Sequence, residues 1–137
     1  MIYRDRRGYS MASSKKPLFN PLEHDEQVQF FNMAKSMLKP EHFALLWAVP
    51  NSAKRSFAVA KYMTTEGLKS GVPDITFAYP SGQYHGMFIE MKRRHGGDVS
   101  PQQQVTLDLL SQMGYKAIVC RGCDEAIEEL MSYYTRG

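Results

Sequence analysis

The residues of this chain best suited to chemistry lie in one stretch, GVPDITFAYPSGQYHGMFIEMK, running from Gly71 to Lys92. Asp74 opens one apolar run, Ile75 to Tyr79. Glu90 falls near the end of a second, Gly86 to Met91, and Lys92 follows it. Pro80, Ser81 and Gly82 supply turn chemistry between them, so an antiparallel hairpin is expected. The start of the first strand then lies beside the end of the second. Glu90 and Lys92 are two apart and leave the same face of their strand. Two carboxylates and an ammonium are therefore expected together on one sheet face. Two acidic oxygens and a backbone carbonyl, that of Met91, form part of an octahedral cage for a hard cation. Mg²⁺ (or Mn²⁺) suits such a cage, with waters and phosphate oxygens as its other ligands. A metal held there lowers the pKa of bound water and neutralises charge on a phosphodiester, and Lys92 is placed to orient that water. An E-x-K on a surface hairpin is commonplace. Here the G-V-P-D that puts Asp74 sixteen residues before Glu90 sets it apart.

The elements that must position these residues follow from periodicity and punctuation. Leu22 to Leu38 reads as a helix, with Val28, Phe31, Ala34 and Leu38 as its apolar stripe and Phe30, Met33 and Met37 widening it. Lys39-Pro40 ends it. Phe43 to Val49 is a short apolar strand closed by Pro50-Asn51-Ser52. Phe57 to Lys69 reads as a second helix with Val59, Ala60, Met63 and Leu68 inward, which places Lys69 to face a substrate groove. Gly71 ends that helix, and Pro73 sets an extended entry to the hairpin. Ser100-Pro101-Gln102-Gln103 starts a third helix, with Ser100 as N-cap, Pro101 at N1 and Gln103 completing a capping box. Its apolar residues are Val105, Leu107, Leu109, Leu110 and Met113, with Gly114 as the stop. Tyr115 to Cys120 is a buried strand. Asp124 to Tyr134 is the last helix, with Ala126, Ile127, Leu130, Met131 and Tyr134 inward. The order is α-β-α-β-β-α-β-α, an α/β fold with a mixed sheet and helices on both faces. The second hairpin strand, the helix and Tyr115–Cys120 form a βαβ unit with parallel strands.

The chain's 137 residues suffice for one domain. Apolar content of 43% and charged content of 23% are those of an ordinary globular protein. No apolar run approaches a membrane span, and the charged N-terminus has no signal-peptide core, so neither a membrane nor secretion is expected. The net charge of +3 is unevenly placed. Residues 1–20 hold five basic side chains against one acidic, net +4, and the remainder holds twelve against thirteen, net −1. Residues 1–20 are expected to form a flexible basic arm that contacts phosphates, or else a solvated tail or an upstream extension ahead of Met11. After Lys92, the run Arg93, Arg94, His95, Gly96, Gly97 reads as a flexible basic loop at the mouth of the site, with both arginines facing a polyanion. His95 is read as a loop residue rather than a general base. Cys120-Arg-Gly-Cys123 resembles a redox pair, but it lacks the second ligand pair of a zinc site, and Cys120 ends a core strand.

GVPDITF followed by GMFIEMKRRHGGDVSPQQ resembles the virus-type replication-repair nuclease (VRR-Nuc) domain of the PD-(D/E)xK nuclease superfamily. Gly71, Pro73, Asp74, Glu90, Lys92, Ser100, Pro101 and Gln103 match its ordered pattern, and the resemblance runs from about Leu22 to Tyr134. It implies a restriction-endonuclease-like core over residues 21–137. It also implies metal-dependent hydrolysis of DNA, on branched or structured substrates such as four-way junctions or flaps, in replication, repair or recombination. A helix-1 glutamate that helps organise the metal site is implied, with Glu26 the better match and Glu23 the alternative. Gln103 acquires a place near the active site, in competition with its capping role. Lys54 and Arg55, after a Pro-Asn, become phosphate contacts. Small stand-alone members, viral and phage ones among them, imply a homodimer without an organic cofactor, working in the cytoplasm of a bacterial or phage-infected cell or wherever the DNA is. A binding module that has kept the fold without catalysis, and a nuclease subunit active only within a larger complex, are the other readings.

Overall fold

The computed structural model describes residues 3–4, 10–11, 18–50 and 56–136. Tyr3–Arg4 (β1) and Ser10–Met11 (β2) pair antiparallel. The rest of the expected arm up to residue 17 lies outside the described residues, as do Lys54 and Arg55.

Helix α1 covers Glu23–Met37, and its first turn carries Glu23, Asp25 and Glu26, where carboxylates complement the unpaired N–H groups. Pro40 keeps Lys39 extended at ψ 144° and starts a single further turn, α2 (Pro40–Phe43). The buried line of α1 is Glu26, Phe30, Ala34 and then Leu38, spaced by four. The expected stripe is thus rotated: Val28 and Met37 are exposed. Apolar residues occupy most sides of this helix, so hydrophobicity alone fixes no face, and a buried line that begins with a glutamate escapes an apolar criterion.

Strand β3 is Leu46–Ala48, shorter than expected because Phe43 belongs to α2. Helix α3 is Phe57–Thr65, with the Ser56 hydroxyl accepting from the Val59 amide at 3.3 Å. No residue of α3 is fully buried; Ala60 and Met63 are half-buried, while Val59, expected inward with them, is exposed. The hairpin is β4 (Ile75–Phe77) and β5 (Met87–Lys92), with a Ser81–Tyr84 bridge in the connection. Helix α4 (Pro101–Gln112), β6 (Lys116–Arg121) and α5 (Cys123–Tyr134) complete the chain.

The sheet order is β3-β4-β5-β6, with the first two pairs antiparallel and β5–β6 parallel across the α4 crossover, as expected of this α/β fold. Ile75 pairs with Ile89, and Met91 with Cys120. Strand alternation then sorts the side chains. Met87, Ile89 and Met91 enter one core with Ile75, Phe77, Phe30 of α1 and Leu130 of α5. Each such buried side chain contributes roughly 1.5–3 kcal/mol. Phe88, Glu90 and Lys92 point to the other face, toward α4.

Helix α4 buries Leu107 alone, while Val105, Leu109 and Met113, spaced by four, are exposed. In α5 the buried set is Cys123, Ala126, Leu130 and Tyr133. Tyr133, rather than Tyr134, is the fully buried ring. Its hydroxyl donates to the Tyr79 carbonyl at 2.5 Å, and its own carbonyl accepts from Ser81 Oγ at 2.5 Å, fastening the end of α5 to the hairpin connection.

Candidate active site

Asp74 stands one residue before β4, where the strand begins to pair on both sides. Its carbonyl accepts from the Val49 amide at 2.7 Å, and its Oδ2 accepts from the Met91 amide at 2.9 Å. The loop leading to it is fixed by Gly71, whose φ is +82° and whose missing Cβ would lie 2.9 Å from the Gln102 backbone. Only glycine permits this approach of the loop to the first turn of α4.

The Ile75–Ile89 register puts Asp74 opposite Glu90 on the face turned to α4. Glu90 is 2% exposed and Lys92 8% exposed. Lys92 Nζ lies 3.6 Å from Glu90 Oε1 and donates to Gln103 Oε1 at 3.2 Å. Gln103 Oε1 also accepts from the Ser100 amide at 2.8 Å, while Gln103 Nε2 donates to Glu90 Oε1 at 2.8 Å. The capping role and the site role therefore do not compete. One amide oxygen closes the capping box and receives the lysine, and the amide nitrogen holds the glutamate. Helix α4 begins at the point that orients both strand side chains.

The electrostatics are those of a site short of positive charge. Burial, and then the neighbouring Asp74 charge, push the Glu90 carboxyl up to about 8, against a smaller opposing effect of Lys92. Burial likewise raises Asp74, against the Met91 amide bond that favours its charged form. Glu90 Oε2 is buried with no hydrogen-bond partner. An orphaned carboxylate oxygen beside a second carboxylate is what a hard cation would satisfy. Among the described residues, no three His, Cys, Asp or Glu side chains gather closely enough to hold a metal on their own. The donor set fits an ion that keeps water and takes substrate oxygens, not one enclosed by protein.

Glu26, expected in this group, is elsewhere. It is 2% exposed, and both its oxygens are engaged by Arg94, Oε2 from Nε at 3.0 Å and Oε1 from Nη2 at 3.2 Å. Arg94 Nη1 also reaches Asp124 Oδ2 at 3.1 Å. Gly122 makes room, since a Cβ there would meet Glu26 Oε2 at 2.6 Å and Arg94 Cγ at 2.8 Å. Glu23 is the helix-1 acid whose charge acts on Asp74 and Glu90 and raises both.

The basic loop differs from its expected character. Arg93 donates to the backbone carbonyls of Pro21 (3.0 Å) and Asn20. Asn20 exchanges two hydrogen bonds with the His95 backbone, at 3.0 and 3.1 Å. Arg121 donates to the Gly96 and Gly97 carbonyls at 2.6 and 3.0 Å. The glycine loop is tied down on both sides, and Arg93 and Arg94, expected to face a polyanion, have intramolecular partners. Nothing local in the sequence marks Asn20 and Arg121, whose partners lie 75 and 25 residues away. Lys69 does line a cavity that also reaches Asp74. His95 is a loop residue, as expected. Cys120 and Cys123 are buried free thiols, with Cys120 pushed up to about 12 by burial.

The family model of the VRR-NUC domain matches residues 22–124. A solved structure named "VRR_NUC domain protein" superposes with a TM-score of 0.75 at 27% identity, covering 88% of this chain and 93% of that one. No curated protein sequence matches. Among the described residues, no helix is long and apolar enough to cross a membrane.

Proposed function

Since the chain belongs to the VRR-NUC domain family, a nuclease-type domain, we propose that it is a metal-dependent deoxyribonuclease hydrolysing phosphodiester bonds in branched or structured DNA. The observation that carries this reading is the buried, partnerless Oε2 of Glu90 on the strand face it shares with Asp74. Asp74 and Glu90, with the Met91 carbonyl, would hold Mg²⁺ or Mn²⁺. When bound, the ion supplies a water of lowered pKa and a counter-charge for the phosphate. Lys92 has three N–H donors and no acceptor. Two of them face Gln103 Oε1 and Glu90 Oε1, so its part is to hold the attacking water or a phosphate oxygen with the third. Gln103 keeps Lys92 and Glu90 in register. Glu23, not Glu26, adds negative charge from α1.

Preference for branched DNA rests on the family resemblance alone. A homodimer is proposed on the same ground, and the exposed apolar side chains of α3, Phe57 at 84% and Tyr62 at 66% exposure, support it. The testing experiment is cleavage of labelled linear, flap and four-way-junction DNA with Mg²⁺, Mn²⁺ or EDTA, for the parent protein and for Asp74→Ala and Lys92→Ala. Metal-dependent cutting that is lost in both variants is expected. DNA binding without cutting, indifferent to metal, would point to the non-catalytic module.

A further inference from the structure

A cavity of about 210 Å³ opens directly beside Asp74, lined in part by that residue, Val49, Val72, Lys69, Ser70 and Gln102. It is continuous with the site, because Gln103 lines it as well. The Val49 amide bond to the Asp74 carbonyl fixes one wall against the metal-site aspartate. The close approach of Gly71 to the Gln102 backbone joins the other two walls. We propose that this cavity is the subsite for the sugar-phosphate unit next to the scissile phosphate, with Lys69 and Gln102 holding its phosphate; the inference rests on the nuclease reading.

Size and chemistry select that occupant. At about 210 Å³ the cavity is of the scale of one sugar and its phosphate. Val49 and Val72 offer apolar contact to a deoxyribose. Lys69 contributes a cation, and the first turn of α4 adds partial positive charge. Gln102 Oε1 accepts from Ser70 Oγ at 3.1 Å. The side chain therefore presents its amide N–H₂, a donor suited to a phosphate oxygen. Two-point reading of an adenine edge would need donor and acceptor together. The subsite positions the strand without reading its sequence.

The test is a walk of single methylphosphonates, which remove one backbone charge at a time, along one strand of a labelled four-way junction. Binding is read by fluorescence anisotropy in Ca²⁺ for the parent protein, Lys69→Ala and Gln102→Ala. Both side chains are exposed, and circular dichroism confirms folding of the variants. In the parent, one methylphosphonate position should weaken binding about tenfold. In either variant that same position should cost less than twofold. Mapping of products in Mg²⁺ should place it next to the cut. Losses that multiply independently at every position, or coupling remote from the cut, would overturn the subsite. If coupling is found and no metal cuts the DNA, the subsite stands as a phosphate-binding cleft and the catalytic reading falls.

Discussion

Glu26 and Glu90 are both 2% exposed, and they differ in everything that surrounds them. Both oxygens of Glu26 are held by Arg94, which a second carboxylate, Asp124, also engages. Glu90 faces another carboxylate, keeps one oxygen with no partner, and has its carboxyl pushed up to about 8. A buried charge with a complete set of partners is architecture: it ties α1 to the loop after β5 and to the start of α5. A buried carboxyl group with an incomplete set is a cost that folding alone does not explain, and such costs gather at functional sites. Burial and residue type are the same at the two positions, so only the count of partners separates them.

The sharpest way to break this comparison is to neutralise each glutamate. If Glu90 and Asp74 hold the proposed metal, Glu90→Gln and Asp74→Asn should each lower cleavage by about 10³-fold or more, since they would remove ligands and not bulk. Glu90→Gln should leave the metal-free melting temperature unchanged or slightly higher, because the fold already opposes ionisation there. Mg²⁺ should raise the melting temperature of the parent, and Glu90→Gln should abolish that rise. A large loss of metal-free stability in Glu90→Gln would place the residue with the architecture.

Glu26→Ala should do the reverse. Leaving Arg94 with only the exposed Asp124 as its ion-pair partner should lower the midpoint of urea unfolding. Cleavage per folded molecule, and the stabilisation by Mg²⁺, should change less than tenfold. Collapse of cleavage with stability intact would return Glu26 to the catalytic group.

Gln103 touches both kinds of role and so separates them. Gln103→Ala should cost about 1 kcal/mol through the broken capping box, and cleavage should fall about tenfold to a hundredfold as Lys92 and Glu90 lose their anchor. Gln103→Glu keeps an acceptor for the Ser100 amide and for Lys92. It loses the N–H donated to Glu90 and adds a third carboxylate beside it. Stability should therefore stay near that of the parent while cleavage falls. Equal losses of both properties in the two variants would mean that the helix start alone matters.

How much of this was legible in the sequence follows the distance over which each contact acts. The hairpin, its register, the shared face of Asp74, Glu90 and Lys92, and the capping box at Ser100 all depend on residues close in the chain or on strand alternation. The partner of Glu26 lies 68 residues away, and that of Asn20 75. No periodicity marks Arg94 as an ion-pair donor and not a phosphate ligand, since an arginine in a Gly-rich loop suits either. The same limit rotated α1. Its core line begins at Glu26, a charge that burial tolerates only because Arg94 completes it. Helix α3 is limited differently: its apolar residues suggest a core face, but among the described residues none of them is fully buried.

The cysteines give the last test of the completed cluster, because Cys123 belongs to it. Its Sγ lies 3.5 Å from Arg94 Nη2. Burial raises the Cys123 thiol, and the Glu26 charge raises it further, against a smaller opposing effect of Arg94. Cys120 is pushed up to about 12 by burial, with Glu125 and Glu129 adding to it. A thiol whose pKa is raised stays protonated at neutral pH, and the protonated form is a poor nucleophile. Native protein should therefore react slowly with a thiol-specific disulfide reagent at pH 8, and both thiols should react at once in denaturant. Glu26→Gln removes the negative charge and leaves the Arg94 guanidinium beside the sulfur, and both changes favour the thiolate. The pH profile of Cys123 labelling should then move to lower pH in that variant, while Cys120 stays silent. In Glu90→Gln neither thiol should change. If Cys123 labelling shifts as much there as in Glu26→Gln, the two clusters are electrostatically one, and the contrast between the glutamates fails.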